Sequence, residues 1–200
     1  METTTLRERK KAQTRTSLWR TAISLFVEHG YDNVSITQIA AAADVSKMTF
    51  FNYFPSKEEL VVGPMAEHTE ELAETVRTRA PGESPVDALH RHFLDGLSRR
   101  DPVTGLCDKP EVLAVQRLIH ETPALMHRAL VILYSAEEAL AKELGPGFRA
   151  QAAAAMITGA RNTLVLENTA RLLAGETSDT VYSIAVQNAN EAFELLRSGL

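Results

Sequence analysis

Between Ser35 and Leu60 the chain gathers the side chains best suited to gripping a polyanion and reading the edges of its bases. These are the hydroxyls of Thr37, Ser46, Thr49 and Tyr53, the amines of Lys47 and Lys57, the amide of Asn52 and the thioether of Met48. Hydroxyl and amine donors bind phosphate oxygens and fix position without reading sequence. An asparagine amide can pair with adenine through two hydrogen bonds, and Met or Thr can pack against a thymine methyl group. Met48, Thr49 and Asn52 are therefore the candidates for base contact, beside Lys47. Thr37, Ser46, Tyr53 and Lys57 are the candidates for the backbone. Each backbone candidate also has a plainer explanation: Thr37 fits a first-turn helix residue, Ser46 a cap, the Tyr53 ring a core filler and Lys57 a solvated charge. Phe50 and Phe54, interleaved with them, are expected to be core together with Trp19, Ile23 and Phe26.

The elements that must carry these residues follow from apolar spacing. Leu18, Trp19, Ala22, Ile23, Leu25, Phe26 and Val27 fall three and four apart, the period of a helix with one broad buried face, and Gly30 supplies its left-handed stop. Ser35 followed by Gln38 reads as a capping box opening a short second helix that ends near Asp44. Ser46 caps a third, Lys47 to Asn52, so that a tight joint separates two short helices. After Pro55, the segment SKEEL caps a fourth helix, with Glu58 and Glu59 at the positive end of its dipole and apolar positions running on toward Val76.

The APGESP segment from Ala80 to Pro85 cannot continue a helix and marks a linker. Beyond it five further segments read as helical, near Val86–Arg99, Glu111–Glu121, Ala124–Leu144, Arg149–Leu173 and Thr180–Ser198. The fold class is all-α with about nine helices. The domain reading is a basic N-terminal arm over 1–11, a helix-turn-helix domain over 12–72 with its motif at about 35–54, and a larger helical domain over 73–200.

Charge distribution supports that division. The 200 residues carry a formal net charge of -5, which alone argues against a nucleic-acid partner. Yet between Leu6 and Arg20 the chain carries Arg7, Arg9, Lys10, Lys11, Arg15 and Arg20 against Glu8 alone, whereas from Pro55 onward 14 basic residues face 21 acidic ones. A solvated basic tail is the plainer reading of such a run by itself. The single Cys107 forms no internal disulfide, no leader segment is evident, and no apolar run has the ~18 residues a membrane span needs, so the expected location is the cytoplasm, with no membrane partner.

Catalytic signatures are missing. There is no GxSxG elbow, glycine-rich phosphate loop or HExxH, and no paired cysteine ligands; Cys107 lacks a neighbouring base, and His90 and His92, two apart, point to different sides of a helix. An enzyme is not expected, and neither is a metal or other cofactor.

The segment SITQIAAAADVSKMTFFNYFPSKEEL, with Gly30 and Tyr31 before it, closely resembles the DNA-binding domain of the TetR family of transcriptional repressors. The resemblance covers the alanine-ended second helix, the turn Asp44-Val45-Ser46, the reading helix and the tail from Tyr53 to Leu60. It departs at Met48, where the family commonly has a small residue, and at Phe51, which replaces a usual tyrosine and its phosphate-binding hydroxyl. The resemblance implies a sequence-specific regulator, a ligand-released repressor binding a palindromic operator as a homodimer. An activator of the same fold is the first alternative, and a helical partner-binding protein without DNA activity the second.

It also implies that the region after Pro81 binds a small-molecule effector and that the last two helices dimerise. Small residues at Ala152–Ala155, Gly159, Ala160 and Thr163, and an apolar stripe at Ile184, Val186, Phe193 and Leu196, are compatible with this, although intramolecular core explains the stripe as well. Candidate effector contacts are His92, Phe93, Arg117, His120, Met126, Tyr134, Met156, Asn162 and Glu167. Arg161 and Glu167 are charges in an otherwise apolar helix, suited to orienting a polar ligand or to a dimer salt bridge.

Overall fold

A computed structural model describes residues 6–199, Leu6 and Arg7 by backbone alone, so residues 1–5 of the basic arm lie outside the described residues. Helix α1 runs over Leu6–His29 without interruption. The basic residues 9–11 therefore sit on its first turns and do not form a separate arm. Gly30 ends it at φ 82°, its N–H donating to the Phe26 carbonyl. Helix α2, Ile36–Ala42, opens on the capping box that the Ser35–Gln38 spacing predicts, with both reciprocal bonds formed.

The joint to α3, Lys47–Tyr53, is a Schellman closure: Val45 N–H reaches Ala40 O, Asp44 N–H reaches Ala41 O, and Asp44 takes φ 53°. An aspartate tolerates that left-handed conformation better than most side chains. Helix α4, Lys57–Ala66, starts on the Ser56 cap.

The apolar run toward Val76 is not one helix. The chain turns over residues 67–70 and restarts as α5, Glu71–Arg77. Here i→i+3 bonds replace the α pattern, His68 N–H to Met65 O, Thr69 N–H to Ala66 O and Glu71 N–H to His68 O, and the Thr69 hydroxyl also takes the Ala66 carbonyl at 2.8 Å. The described residues thus contain ten α-helices, one more than the sequence predicts.

The rest follow as α6 Pro85–Ser98, α7 Pro110–Glu121, α8 Pro123–Leu144, α9 Phe148–Leu173 and α10 Ser178–Gly199. Proline stands in the first turn of α6, α7 and α8, where its missing N–H costs nothing. The DPVTG joint is a short 3₁₀ turn, Pro102–Thr104, closed by Gly105 at φ 74°. No strand occurs among the described residues.

Two hydrophobic cores organise the helices. The first joins Leu18, Phe26, Ile39, Phe50, Phe54 and Leu60 with Leu118, Ile119, Leu125, Ala129 and Ile132 of α7 and α8. The second joins Leu72, Val76, Phe93, Leu97, Leu140, Ile157, Leu164 and Phe193. The packing boundary therefore does not follow chain order, because α7 and the start of α8 belong to the core of the N-terminal head. Phe193 and Leu196 are buried within the chain, at 1% and 5% exposure, so those two members of the predicted dimer stripe are intramolecular core; Ile184 and Val186 pack partly against it.

The 3₁₀ turn is strapped to α9. The Asn168 amide donates to Thr104 O at 2.9 Å, Arg161 donates to Val103 O at 3.0 Å, and a Cβ on Gly105 would lie 2.3 Å from Val165 O. Gly105→Ala combines a left-handed φ with a backbone overlap and is expected to lower stability by about 2–4 kcal/mol. Urea unfolding checks this, and a midpoint within error of the parent would contradict the close approach.

Candidate nucleic-acid interface

Helix α3 buries one side and presents the other. Phe50 and Phe54 are sealed in the first core, at 0% and 3% exposure, while Met48 stands 73% exposed with Lys47, Phe51 and Asn52 also outside. Met48, Phe51 and Asn52 are three and four apart, so they share one outward ridge, with Lys47 at its N-terminal end. Phe51, which departs from the family pattern, has its ring edge-on to Phe50 at 5.6 Å between centroids and remains partly in solvent.

The cap of this helix uses part of its hydroxyl chemistry. Ser46 Oγ accepts the Thr49 N–H at 2.9 Å and pairs with Thr49 Oγ1 at 2.8 Å. One of the two hydroxyl protons is consumed in that pair and the other is left to donate outward. Thr37 is exposed on the first turn of α2, while Tyr53 is half-buried against the first core.

Lys57 is placed differently from the other cations. Its ammonium donates to Tyr31 O at 2.8 Å and Val34 O at 3.1 Å, and lies 4.0 Å from the Tyr31 ring centroid. Two of its three protons are thus spent inside the head. The Tyr31 hydroxyl in turn donates to Glu58 at 2.9 Å. Burial, reinforced by that carboxylate, pushes the Tyr31 phenol far above its ordinary value. Burial raises Glu58 as well, but backbone, Ser56 and Tyr31 hydrogen bonds outweigh it and hold the carboxyl below its usual range. Sequence reasoning missed this clamp, although Tyr31, Lys57 and Glu58 were all singled out within the motif.

Arg15 is paired at the surface, bonding Glu67 at 2.7 Å and lying over the Phe54 ring, and Arg9, Lys10, Lys11 and Arg20 are further exposed cations of α1. Arg128 of α8 pairs with Glu59 of α4.

The nine candidate effector contacts do not converge. Phe93 is core at 2% exposure, and Met126 packs against the first core. Arg117, His120 and Glu167 are exposed; Tyr134 and Met156 are 62% and 44% exposed; Asn162 is half-buried. An apolar cleft of about 320 Å³ lies between Pro85, Val86, Leu144, Ala153 and Ile157, and a shallow one of about 450 Å³ runs along α1 at Gln13 and Arg20; neither includes any of the nine. Sequence spacing assigns a helix face but not the helix that covers it, which is why these positions scatter.

His92 alone joins a polar cluster. Its Nε2 lies 3.0 Å from Glu71 Oε1, while Glu71 Oε2 lies 2.9 Å from His68 Nδ1. The His92 hydrogen bond draws the Glu71 carboxyl down to about 2, against burial and with help from His68. His68 and Glu71, three apart across the α4–α5 break, were a legible pair that the expectation of one long helix concealed. Among the described residues no group of three or more His, Cys, Asp or Glu is placed to hold a metal ion, and no helix is long and apolar enough to cross a membrane.

Residues 18–62 match the family model described as bacterial regulatory proteins, tetR family. The chain is 37% identical over 122 residues to the HTH-type transcriptional regulator TcmR of Streptomyces glaucescens, a match covering 60% of this chain and 54% of TcmR. It thus spans about half the length of that relative. Among solved structures it is similar to NalD, the secondary repressor of the MexAB-OprM multidrug efflux pump in Pseudomonas aeruginosa. That likeness has a TM-score of 0.61 at 19% identity and covers 91% of this chain and 97% of that one. It is also similar to the transcriptional regulator FadR from Bacillus subtilis, solved in complex with stearoyl-CoA, with a TM-score of 0.56 at 22% identity over 92% and 98% of the two chains. These structural likenesses concern the fold.

Lys57→Met takes the charged donor from two carbonyls, of which Tyr31 O keeps only the long 3.4 Å bond from the Val34 N–H, and is expected to lower stability by about 2 kcal/mol; a parental denaturation midpoint would show the clamp to be idle. Glu71 ionises lower in the folded chain than its ordinary 4.5, so its stabilisation is whole above about pH 4.5 and is lost as pH falls toward 2. Glu71→Gln is accordingly expected to reduce stability at neutral pH and to flatten the acid limb of midpoint against pH. An acid limb as steep as the parent's would place the acid sensitivity elsewhere.

Proposed function

We propose that this chain, whose residues 18–62 match the tetR family of bacterial regulatory proteins, is a cytoplasmic, sequence-specific DNA-binding transcriptional regulator, a ligand-released repressor that reads a palindromic operator as a homodimer. The observation that carries this reading is the outward ridge of α3, where Met48, Phe51 and Asn52 lie bare behind Lys47 on a rigidly capped helix. A helix of this kind fits the major groove with its N-terminal residues at the base edges. Asn52 and Met48 read bases there, with Thr49 beside them. Lys47, the free proton of the Ser46–Thr49 hydroxyl pair, Thr37 and the Tyr53 hydroxyl hold phosphates. Lys57 contributes its one remaining proton, and mainly through the clamp. The exposed cations at the start of α1 add to the attraction.

A twofold dimer supplies the second reading helix, at the ~34–36 Å spacing that successive major grooves require. The outward face of α9, with Met156 and Leu166 exposed and Gly159 open to close approach, forms its interface together with α10, where Leu195 is 68% exposed. An effector in the body weakens operator binding through α4, and the operator weakens effector binding by the same factor.

Selection of bound genomic fragments, followed by fluorescence anisotropy of the winner across a salt series, tests the reading. One palindromic site should emerge. Lys47→Ala should weaken it on all sequences and reduce the salt slope by about one, whereas Asn52→Ala should cost about 1–3 kcal/mol and relax preference at a single position. Failure to enrich any fragment would overturn the proposal.

A further inference from the structure

The outward ridge of α3 is apolar at its centre. Met48 is 73% exposed and Phe51 is 43% exposed, three residues apart on a helix that carries Lys47 and no carboxylate. The core of the head does not need either side chain, because Phe50 and Phe54 already fill the buried side of α3. The Phe51 ring stands at 88° to that of Phe50, with 5.6 Å between centroids, a contact that fixes its plane and leaves part of it in solvent. Asn52 follows directly, exposed as well.

The edges of the bases in the major groove are donors and acceptors, with one apolar substituent among them, the C5-methyl group of thymine. An apolar side chain pressed on a purine N7, a carbonyl oxygen or an amino group strips it of water and returns no hydrogen bond. Pressed on the methyl group, the same side chain buries hydrocarbon on both partners. Residues three apart on a helix have Cβ atoms about 5–6 Å from one another, and base pairs are stacked about 3.4 Å apart. Met48 and Phe51 therefore reach neighbouring base pairs, within range of the adenine that the Asn52 amide accepts.

We infer that Met48 and Phe51 form a single apolar reading surface for the C5-methyl group of a pyrimidine, so that each operator half-site presents thymine methyls to α3 on neighbouring base pairs. The inference rests on the reading of α3 as the major-groove helix and deepens it, since it makes Phe51 a specificity-determining residue beside Met48. Cytosine methylated at C5 carries the same group in the same place and is recognised for the same reason.

The test uses the full chain and the operator recovered by selection, with deoxyuridine replacing thymine at one position at a time. That exchange removes a methyl group and leaves base pairing intact. Anisotropy at one fixed salt concentration should show binding weakened about fourfold for each contacted methyl removed, at one or two positions of each half-site, and unchanged at the others. Met48→Ala and Phe51→Ala should each weaken binding to the parent operator and erase the deoxyuridine penalty at its own position, the coupling expected of groups in contact. At those positions a C·G pair should bind more weakly than T·A, and 5-methylcytosine should recover about fourfold over cytosine. Met48→Ala should melt with the parent, which keeps the test free of folding effects if Phe51→Ala loses stability through Phe50.

Three results would overturn the inference: an operator that binds but gives a flat deoxyuridine scan, a penalty that persists unchanged in both variants, or a Phe51→Ala variant that weakens every sequence alike, which would place the ring against the sugar-phosphate backbone. A flat scan on a selected operator sinks this inference and leaves the regulator standing. If no fragment is enriched, the reading of α3 as a major-groove helix falls, and the methyl contact falls with it.

Discussion

The geometry of the head depends on one ammonium group. Lys57, at the first turn of α4, reaches across to the carbonyls of Tyr31 and Val34 in the α1–α2 joint. Those carbonyls lie past the end of α1, where no helical N–H can satisfy them. The lysine does so, its charge lies against the Tyr31 ring, and the Tyr31 hydroxyl returns the contact through Glu58. The loop between α1 and α2 is therefore fixed to the beginning of α4, and α2 and α3, which lie between these two points in the chain, are confined by both ends. A helix as short as α3 has little stability of its own. Its orientation is set by Phe50 and Phe54 within the first core and by this polar closure, which is what allows an outward ridge to be presented at a constant angle.

The head is not an independent bead on the chain. Leu118, Ile119, Leu125, Ala129 and Ile132 complete its core from α7 and α8, and Arg128 pairs with Glu59 across the same boundary. A division by chain order at residue 72 would leave those apolar side chains without the surface that buries them. The head therefore cannot tilt against the body without repacking α8.

How much of this was legible follows from the range over which each determinant acts. The caps at Ser35, Ser46 and Ser56, the stop at Gly30 and the prolines opening α6, α7 and α8 are local, and the sequence carries them plainly. The outward ridge of α3 follows from the same period, since the positions that bury Phe50 and Phe54 leave Met48 and Asn52 opposite. The break at residues 67–70 escaped because apolar spacing continues through it, although Pro64 stands inside the end of α4 and the Thr69 hydroxyl takes the Ala66 carbonyl. The partners of Lys57 and Arg15 were hidden for another reason: a cation's partner is chosen in three dimensions, and Tyr31 O or Glu67 is not a neighbour in any local pattern. The scatter of the nine candidate effector contacts has that same origin. Arg161 stood out in sequence as a charge in an apolar helix, yet only the structure shows that no acid meets it.

The two cores are joined by elements of unequal stiffness. Helix α8 contributes Leu125, Ala129 and Ile132 to the first core and Leu140 to the second, as one continuous helix. The α4–α5 segment also spans both, with Leu60 and Val62 in one and Leu72 and Val76 in the other, but it is interrupted between them by a turn. A continuous helix resists bending over a single span, whereas a turn held by i→i+3 bonds can change a few dihedral angles at small cost. Of the two spans, the one through residues 67–70 is therefore the softer. The groups that bridge that turn, His68 and Glu71, are tied to α6 through His92 and lie within the electrostatic reach of Arg161. The polar seam of the body thus lies beside the turn between the two cores, as the Arg128–Glu59 pair lies beside the continuous helix.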